Sequence, residues 1–507
     1  MNLKNLELRE YQKNIANTCL KGNTLVVLPT GLGKTIIAIY VAYKRLEQIP
    51  DGKILFMAPT RPLNAQHVKT FLQFTDLRED EIALVTGKIK PEKRSEIYKK
   101  AKVIVATPQT ISNDIKENRI SLENFVLAVF DEAHRAVKDY SYTEVAKTYL
   151  IQSKNPLIIG LTASPGGEEE RIEEVMKNLF IKYVEIRTES DPDVRPYVKE
   201  IEREYVYVEL PEDLENIRKK LFEIYDEILE WLKTHLFIKS KDVTKKELLS
   251  LQNSLIASYE RGAENPINIW GMIKVSQALK VLYAIELLET QEIKVFSDYI
   301  KELFQSKKKA ERMLVNDERM KYVFKQLNQL EEKYRVHPKM LKLLEIMKAI
   351  IRENEKNRAI VFANYRDTVE RIKNFLNENG IKAEMLIGQA KKEGKGLSQK
   401  EQIEIIKRFA NNEFNVLVCS SIGEEGLDIA SVNYAIFYDA VPSEIRAIQR
   451  RGRVGRQTSG KVFFILTKGS RDQAYFFSSL MKEKKMKRVL KNMKKMRRKE
   501  SLLDWVK

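Results

Sequence analysis

Residues 24–44 read TLVVLPTGLGKTIIAIYVAYK, and no other stretch constrains the fold as strongly. A short β-branched run feeds a glycine turn that opens directly into an apolar-periodic helix, a strand–loop–helix unit. Gly31 and Gly33 let successive backbone amides converge on an anion, and the helix N-terminus adds its dipole. In such a loop Lys34 reaches the β- and γ-phosphates of a nucleotide and the Thr35 hydroxyl ligates Mg²⁺. Leu28, Pro29, Thr30, Gly31, Leu32, Gly33, Lys34 and Thr35 are therefore the candidate phosphate cradle. The strict pattern places glycine at position 28, so Leu28 departs from it.

A second signal lies about a hundred residues further on, where FVLAVF ends in Asp131-Glu132-Ala133-His134. Carboxylates at the C-terminal end of a buried strand sit where parallel sheets bind ligands. Asp131 is the candidate Mg²⁺ ligand and Glu132 the candidate activator of the attacking water. Taken alone these four residues fit a solvated turn equally well; the upstream phosphate loop decides between the readings. Near the other end, residues 449–456 read QRRGRVGR, with four arginines in eight positions. Such a run is ordinarily a solvated face. Phosphoryl transfer gives it a sharper use, because charge growing on the transferred group calls for arginines from across a cleft. Arg453 and Arg456, about one helical turn apart, suit that role.

Short apolar runs at 24–28, 54–58, 103–106, 125–130 and 157–161 alternate with longer amphipathic stretches, the pattern of βα units around a buried parallel sheet. From Pro211 the character changes, and Leu214, Ile217, Leu221, Ile224, Ile228 and Leu232 recur at helical spacing. Helical patterning continues to residue 330. The βα alternation resumes at His337-Pro338, with strands expected at 359–363, 416–420, 434–438 and 462–466. The expected organisation is an α/β domain over 1–202, an all-helical insert over 203–335, a second α/β domain over 336–480 and a basic helical tail or linker over 481–507. In that tail Met486, Leu490 and Met493 share one face.

Lys and Arg outnumber Asp and Glu by 89 to 71 in 507 residues, an excess suited to a polyanionic partner. More than half of the +18 lies between positions 482 and 499, where eleven basic residues face one acid, Glu483. The two cysteines, Cys19 and Cys419, are too far apart in sequence for a CxxC site or a disulfide framework, which fits a reducing compartment. Cys419, inside VLVCS, reads as a small buried hydrophobe. The four histidines, His67, His134, His235 and His337, show no metal-ligand spacing. With neither a long apolar run nor a leader at MNLKNLELRE, the expectation is a cytoplasmic, nucleoid-associated protein without a membrane partner.

Nine motifs in order carry a resemblance to superfamily 2 helicases of the DEAH-box kind, from end to end of the chain. They are LREYQ at 8–12, LPTGLGKT at 28–35, APTRPL at 58–63, ATPQT at 106–110, DEAH at 131–134, TAS at 162–164, VFANYRDT at 361–368, SSIGEEGLDI at 420–429 and QRRGRVGR at 449–456. The resemblance implies two RecA-like domains enclosing ATP and Mg²⁺. It implies adenine recognition by Gln12 and Arg9, a ribose contact near Asp428 and a γ-phosphate contact by Gln449. It assigns nucleic-acid backbone contacts to Arg61, Thr107, Asn364 and Ser421, and coupling of hydrolysis to movement to His134, Thr162 and Ser164. The helical insert, with GQAKKEGKGLSQKEQ at 388–402, is similar to the Hef and Fanconi anaemia group M branch.

That branch implies an ATP-dependent helicase or translocase on forked or branched DNA, serving fork repair. It also implies a C-terminal nuclease partner, of which this sequence carries no ERKxxxD-like cluster after residue 480. Two alternatives share the motor motifs: an RNA-stimulated ATPase of the Dicer or RNA-sensor type, and a fork-binding scaffold that uses ATP only as a clamp. Intact Glu132 and Arg453 argue against the scaffold.

Overall fold

Five apolar runs in the first two hundred residues are buried along their whole length, as happens when helices cover both faces of a sheet. The protein is described by a computed structural model covering all residues except 165–168, 199–200, 262–264, 389–395, 421–431, 440–459 and 504–507. Its first sheet contains β1 (Thr24–Val27), β2 (Lys53–Met57), β3 (Ile82–Val85), β4 (Val103–Ala106), β5 (Phe125–Asp131), β6 (Ile158–Thr162) and β7 (Tyr183–Ile186), all parallel. Their order across the sheet is β3-β4-β2-β5-β6-β1-β7. The five strands expected from sequence form the interior. The two that were not expected, β3 and β7, are the edges, and their partly exposed side chains blur the apolar signal.

The second sheet has β8 (Ile201–Val208), β9 (Ala359–Phe362), β10 (Ala383–Leu386), β11 (Val416–Cys419), β12 (Tyr434–Phe437) and β13 (Gly460–Thr467), ordered β10-β11-β9-β12-β13-β8. Here too the strand missing from the sequence reading, β10, is an edge with a half-exposed pattern. β8 corrects the domain boundary. It precedes the insert in sequence yet pairs with β13 over eight residues, Gly460 opposite Ile201 through Thr467 opposite Val208. Residues 203–208 thus belong to the second sheet rather than to an all-helical insert.

Between β8 and the helix Pro338–Glu353 lie, among the described residues, six helices: Glu212–Thr234, Lys245–Glu260, Pro266–Thr290, Ile293–Gln305, Lys309–Val315 and Glu318–Lys333. The third is apolar on all sides and forms the bundle's axis, burying Val275, Val281, Leu282, Ile285 and Leu288. Side-chain caps from Thr244, Asn265 and Asp317 start three of the helices. Where Phe237 stacks near Trp231, Gly271 admits the ring: a Cβ at this position would lie 2.6 Å from it.

The C-terminal end of that axial helix is fastened to the second α/β domain. The Thr467 hydroxyl donates to the Glu289 carbonyl (2.8 Å), Arg371 Nε to Glu292 Oε1 (2.7 Å), and Thr368 to the Gln291 side chain. His337, fully buried, lies 3.2 Å from the Leu288 carbonyl through Nε2 and accepts the Lys339 amide on Nδ1. Insert and second domain therefore share one set of fixed contacts.

The last helix, Arg471–Leu503, is continuous across the boundary expected at residue 480. It is no free linker. Phe476 is buried in the second domain's aromatic cluster with Phe464 and Phe437, whereas Met486 is buried in the first domain's core. Leu490 and Met493, expected on the same face, have side chains outside the described residues.

Candidate nucleotide site and nucleic-acid interface

β1 hands the chain to the phosphate loop through one more ladder bond, the Leu28 amide to the Thr162 carbonyl (3.0 Å). The departure at Leu28 has a packing reason: its side chain is fully buried in the core, and only its carbonyl faces the loop, accepting from Lys34 Nζ at 2.9 Å. Gly31 and Gly33 have φ of 83° and 80°, the left-handed region that glycine adopts without strain. Gly33 is also a close approach, since a Cβ there would stand 2.5 Å from Gln12 Nε2. Directly after it the helix Lys34–Gln48 begins, so its first-turn amides face the loop. A backbone cradle that side chains would fill, ending at a helix N-terminus, fits polyphosphate.

Gln12 and Arg9 stand beside this loop. The Gln12 carboxamide, 5% exposed, accepts the Arg9 amide (3.0 Å) and donates to the Leu32 carbonyl (3.1 Å), while the Tyr11 hydroxyl donates to the same carbonyl (2.8 Å). The helix Glu10–Lys21 is thereby tied to the phosphate loop. Arg9 lies 4.5 Å from the centre of the Tyr197 ring, an aromatic partner that no motif marks. Arg9, Gln12, Glu7, Gly31 and Gly33 line a recess of about 300 Å³, at the small end of ligand-site volumes.

Across the sheet, Asp131 closes β5 with its carboxylate buried. Oδ2 meets His67 Nε2 at 2.8 Å and Oδ1 accepts the Glu132 amide at 3.0 Å. Burial alone would raise this carboxyl, but the hydrogen bond and charge of His67 and the charge of Lys34 hold it below the ordinary range. It is therefore ionised, and each oxygen keeps a second lone pair. With the Thr35 hydroxyl these oxygens suit a hard cation that completes its shell with phosphate and water. Among the described residues no cluster of three or more His, Cys, Asp or Glu could hold a metal, so any cation there depends on such outside ligands.

Behind Asp131 the buried Tyr142 hydroxyl lies 2.6 Å from its carbonyl and 3.1 Å from that of Met57, fixing the ends of β5 and β2 together. Glu132 turns the chain with φ 53° and ψ 48°, a left-handed conformation uncommon for a non-glycine residue and typical of functional turns. Its Oε2 lies 3.3 Å from His134 Nδ1, which is 3.2 Å from Thr162 Oγ1. Thr162 in turn donates to the Ser164 carbonyl (3.0 Å) and accepts the Ser164 amide (3.1 Å). The three residues assigned to coupling thus form one chain of contacts ending on Glu132.

Arg61 is the first residue of the helix Arg61–Phe74 after β2, and Thr107 immediately precedes the helix Pro108–Lys116 after β4. β2 and β4 are neighbours, so both residues stand on the same carboxyl edge as the nucleotide residues but on adjoining strands. In the second domain Asn364 is exposed just beyond β9, its amide bonded to Asp439 Oδ2 at 2.8 Å. Ser421, Asp428, Gln449, Arg453 and Arg456 lie outside the described residues. His67 is the functional candidate that sequence reasoning missed. Only its place, two turns into the helix that Arg61 begins, could have pointed to it.

Three family profiles match in order: "Type III restriction enzyme, res subunit" over residues 5–167, "Putative ATP-dependent RNA helicase, helical bundle" over 213–334 and "Helicase conserved C-terminal domain" over 339–458. The Pyrococcus furiosus Hef helicase domain, a solved structure, is 46% identical, with a TM-score of 0.74 over 93% of this chain and 98% of that one. A "Putative ATP-dependent RNA helicase" of Methanocaldococcus jannaschii is 48% identical over 97% of this chain and 61% of its own length. An ATP-dependent DNA helicase of Schizosaccharomyces pombe is 33% identical over 92% of the chain and 58% of its own length. The mouse Fanconi anemia group M protein homolog is 31% identical over 93% of the chain and 25% of its own length. The chain therefore spans about three fifths or less of these curated relatives.

Two parallel-sheet domains with a phosphate loop, a buried Walker-type aspartate and a helical bundle between them define the superfamily 2 helicase class. Within it, the chain belongs to the Hef and Fanconi anaemia group M branch.

Proposed function

We propose that the chain is an ATP-driven motor that translocates on or unwinds forked and branched DNA in fork repair. The observation that carries this reading is the continuous set of contacts from Glu132 through His134 and Thr162 to Ser164, which ties a candidate base to the coupling motif. Lys34 and the loop amides would bind the phosphates, while Thr35 and Asp131 would hold Mg²⁺, which supplies charge neutralisation on the phosphate oxygens. Glu132 would orient the attacking water and take its proton. Gln449, Arg453 and Arg456 would complete the site from the second domain. Arg61, Thr107, Asn364 and Ser421 would hold a strand by its backbone, positioning it without reading sequence.

The insert supports the preference for branched DNA. Two domains gripping one strand have no means of sensing a junction, whereas a bundle fastened to one of them can reach a second arm. The relatives' greater length leaves room for a nuclease acting with this motor, as part of the same proposal. A second reading, an RNA-stimulated ATPase, is favoured by the RNA-helicase name of the 48%-identical relative. ATP hydrolysis measured separately with forked DNA, single-stranded DNA and double-stranded RNA decides between them. Stimulation by the fork above the single strand supports the proposal; stimulation by double-stranded RNA alone overturns it.

A further inference from the structure

The C-terminal helix Arg471–Leu503 leaves the second domain directly after β13. Its first turns are anchored there: Ser470 accepts the Gln473 amide (3.1 Å), and Phe476 packs 4.8 Å from the Phe464 ring. Ten residues on, about 15 Å along the helix axis, the same helix is in the other domain. Met486 is 2% exposed there, in one core cluster with Ile172, Val175 and Ile186, and half-buried Val489 packs against that cluster. The Met486 sulfur lies 2.8 Å from the Ser164 hydroxyl, itself 2% exposed. Ser164 is the end of the chain of contacts that runs through Thr162 and His134 to Glu132.

We propose that Met486 is a positioning residue for ATP hydrolysis: seated on Ser164, it sets the Glu132 carboxylate according to where the second domain stands. A helix is stiff along its axis, so displacement of the second domain is delivered to Met486 rather than absorbed between Phe476 and Met486. The thioether accepts the Ser164 hydroxyl, and its unbranched stem lets it follow a small shift without leaving the core. Any change in Ser164 reaches the base through Thr162 and then His134, whose Nδ1 lies 3.2 Å from Thr162 Oγ1 and 3.3 Å from Glu132 Oε2. The helix thus gives the second domain a route to the hydrolytic centre that bypasses the cleft itself.

The proposal rests on the motor reading and is tested on the full chain by steady-state ATP hydrolysis at saturating single-stranded DNA. Met486→Ala should lower kcat about tenfold while leaving the KM for ATP within twofold of native, because phosphate binding lies on the other side of Glu132. Met486→Leu keeps the packed volume and removes only the sulfur acceptor. It should retain its melting temperature within a few degrees and lower kcat about threefold, which keeps the test open if the alanine variant does not fold. Native kcat in the folded Leu variant and in any folded Ala variant overturns the proposal. So does a loss in which kcat and ATP affinity fall together with the melting temperature, the mark of packing alone. A native chain that hydrolyses no ATP with any nucleic acid would instead overturn the motor reading, so the two failures are distinct.

Discussion

At the residue scale, the candidate site separates residues that would touch phosphate from those that hold them in place. Lys34→Ala should abolish ATP hydrolysis and leave DNA binding within a few-fold of native, since the candidate DNA residues stand on other strands. Turnover assays paired with fork-binding titrations check this, and normal turnover would remove Lys34 from the site. His67 acts one step back. It orients and charges the Asp131 carboxylate at 2.8 Å, and partners of metal-ligating groups typically contribute 10- to 100-fold in metal affinity. His67→Asn should therefore raise the Mg²⁺ concentration for half-maximal hydrolysis by about tenfold, with little change in saturated rate; an unchanged Mg²⁺ titration would make the contact merely structural. Lys34, Asp131 and Glu132 could be singled out in the sequence because the chemistry proposed for them is tied to local spacing. His67 was not, because its role comes from the pairing of β2 with β5, which brings together residues 64 apart in sequence.

At the element scale, helix ends and strand edges decide both stability and legibility. His337 starts the helix Pro338–Glu353 by accepting the Lys339 amide on Nδ1 while Nε2 faces the Leu288 carbonyl, an arrangement that requires the neutral ring. Burial first, then the nearby Lys339 charge, push its pKa from 6.5 down to about 3. Above pH 6.5 folded and unfolded chains are both neutral here and the contribution to stability is complete. As pH falls towards 3 only the unfolded chain takes up the proton, and stability is lost at about 1.4 kcal/mol per pH unit. Between pH 7 and pH 5 the native protein should lose about 2 kcal/mol more than His337→Asn, which keeps a capping acceptor but cannot titrate. Thermal melts of both at the two pH values measure it, and parallel losses would refute it. Interior strands announced themselves in the sequence as continuous apolar runs. Edges β3, β7 and β10 did not, and β8 was assigned to the insert instead of the second domain because sheet pairing, not chain order, assigns a strand to its domain.

For the whole molecule, charge placement matters more than net charge. Of the lysines in the insert, Lys241 is paired with Asp226 (2.9 Å) and Glu230 (3.2 Å), and Lys245 with Glu286 (2.6 Å). Lys239, Lys246, Lys307 and Lys308 are exposed and outside the ion pairs of the described residues, so these four are the phosphate partners to expect. Reversing them should lower fork affinity and flatten its salt dependence by about one unit of slope in log K against log salt per lost contact, leaving single-strand-stimulated hydrolysis in place. Binding of fork and linear duplex across a salt series tests this; equal losses on both DNAs would show that the insert does not read structure.

The fastening of the axial helix Pro266–Thr290 at its Glu289 end has a mechanical consequence. Its Glu289 end is bolted to the second domain, so the helix is a lever whose fulcrum is the junction with β13. Twenty-five residues make an arm about 37 Å long. A swing of about 10° at the fulcrum would sweep the far end through about 6 Å, close to two base steps of a strand. A stroke too small to carry one nucleotide past the cleft would thus be magnified at the arm's tip into a displacement large enough to prise a junction.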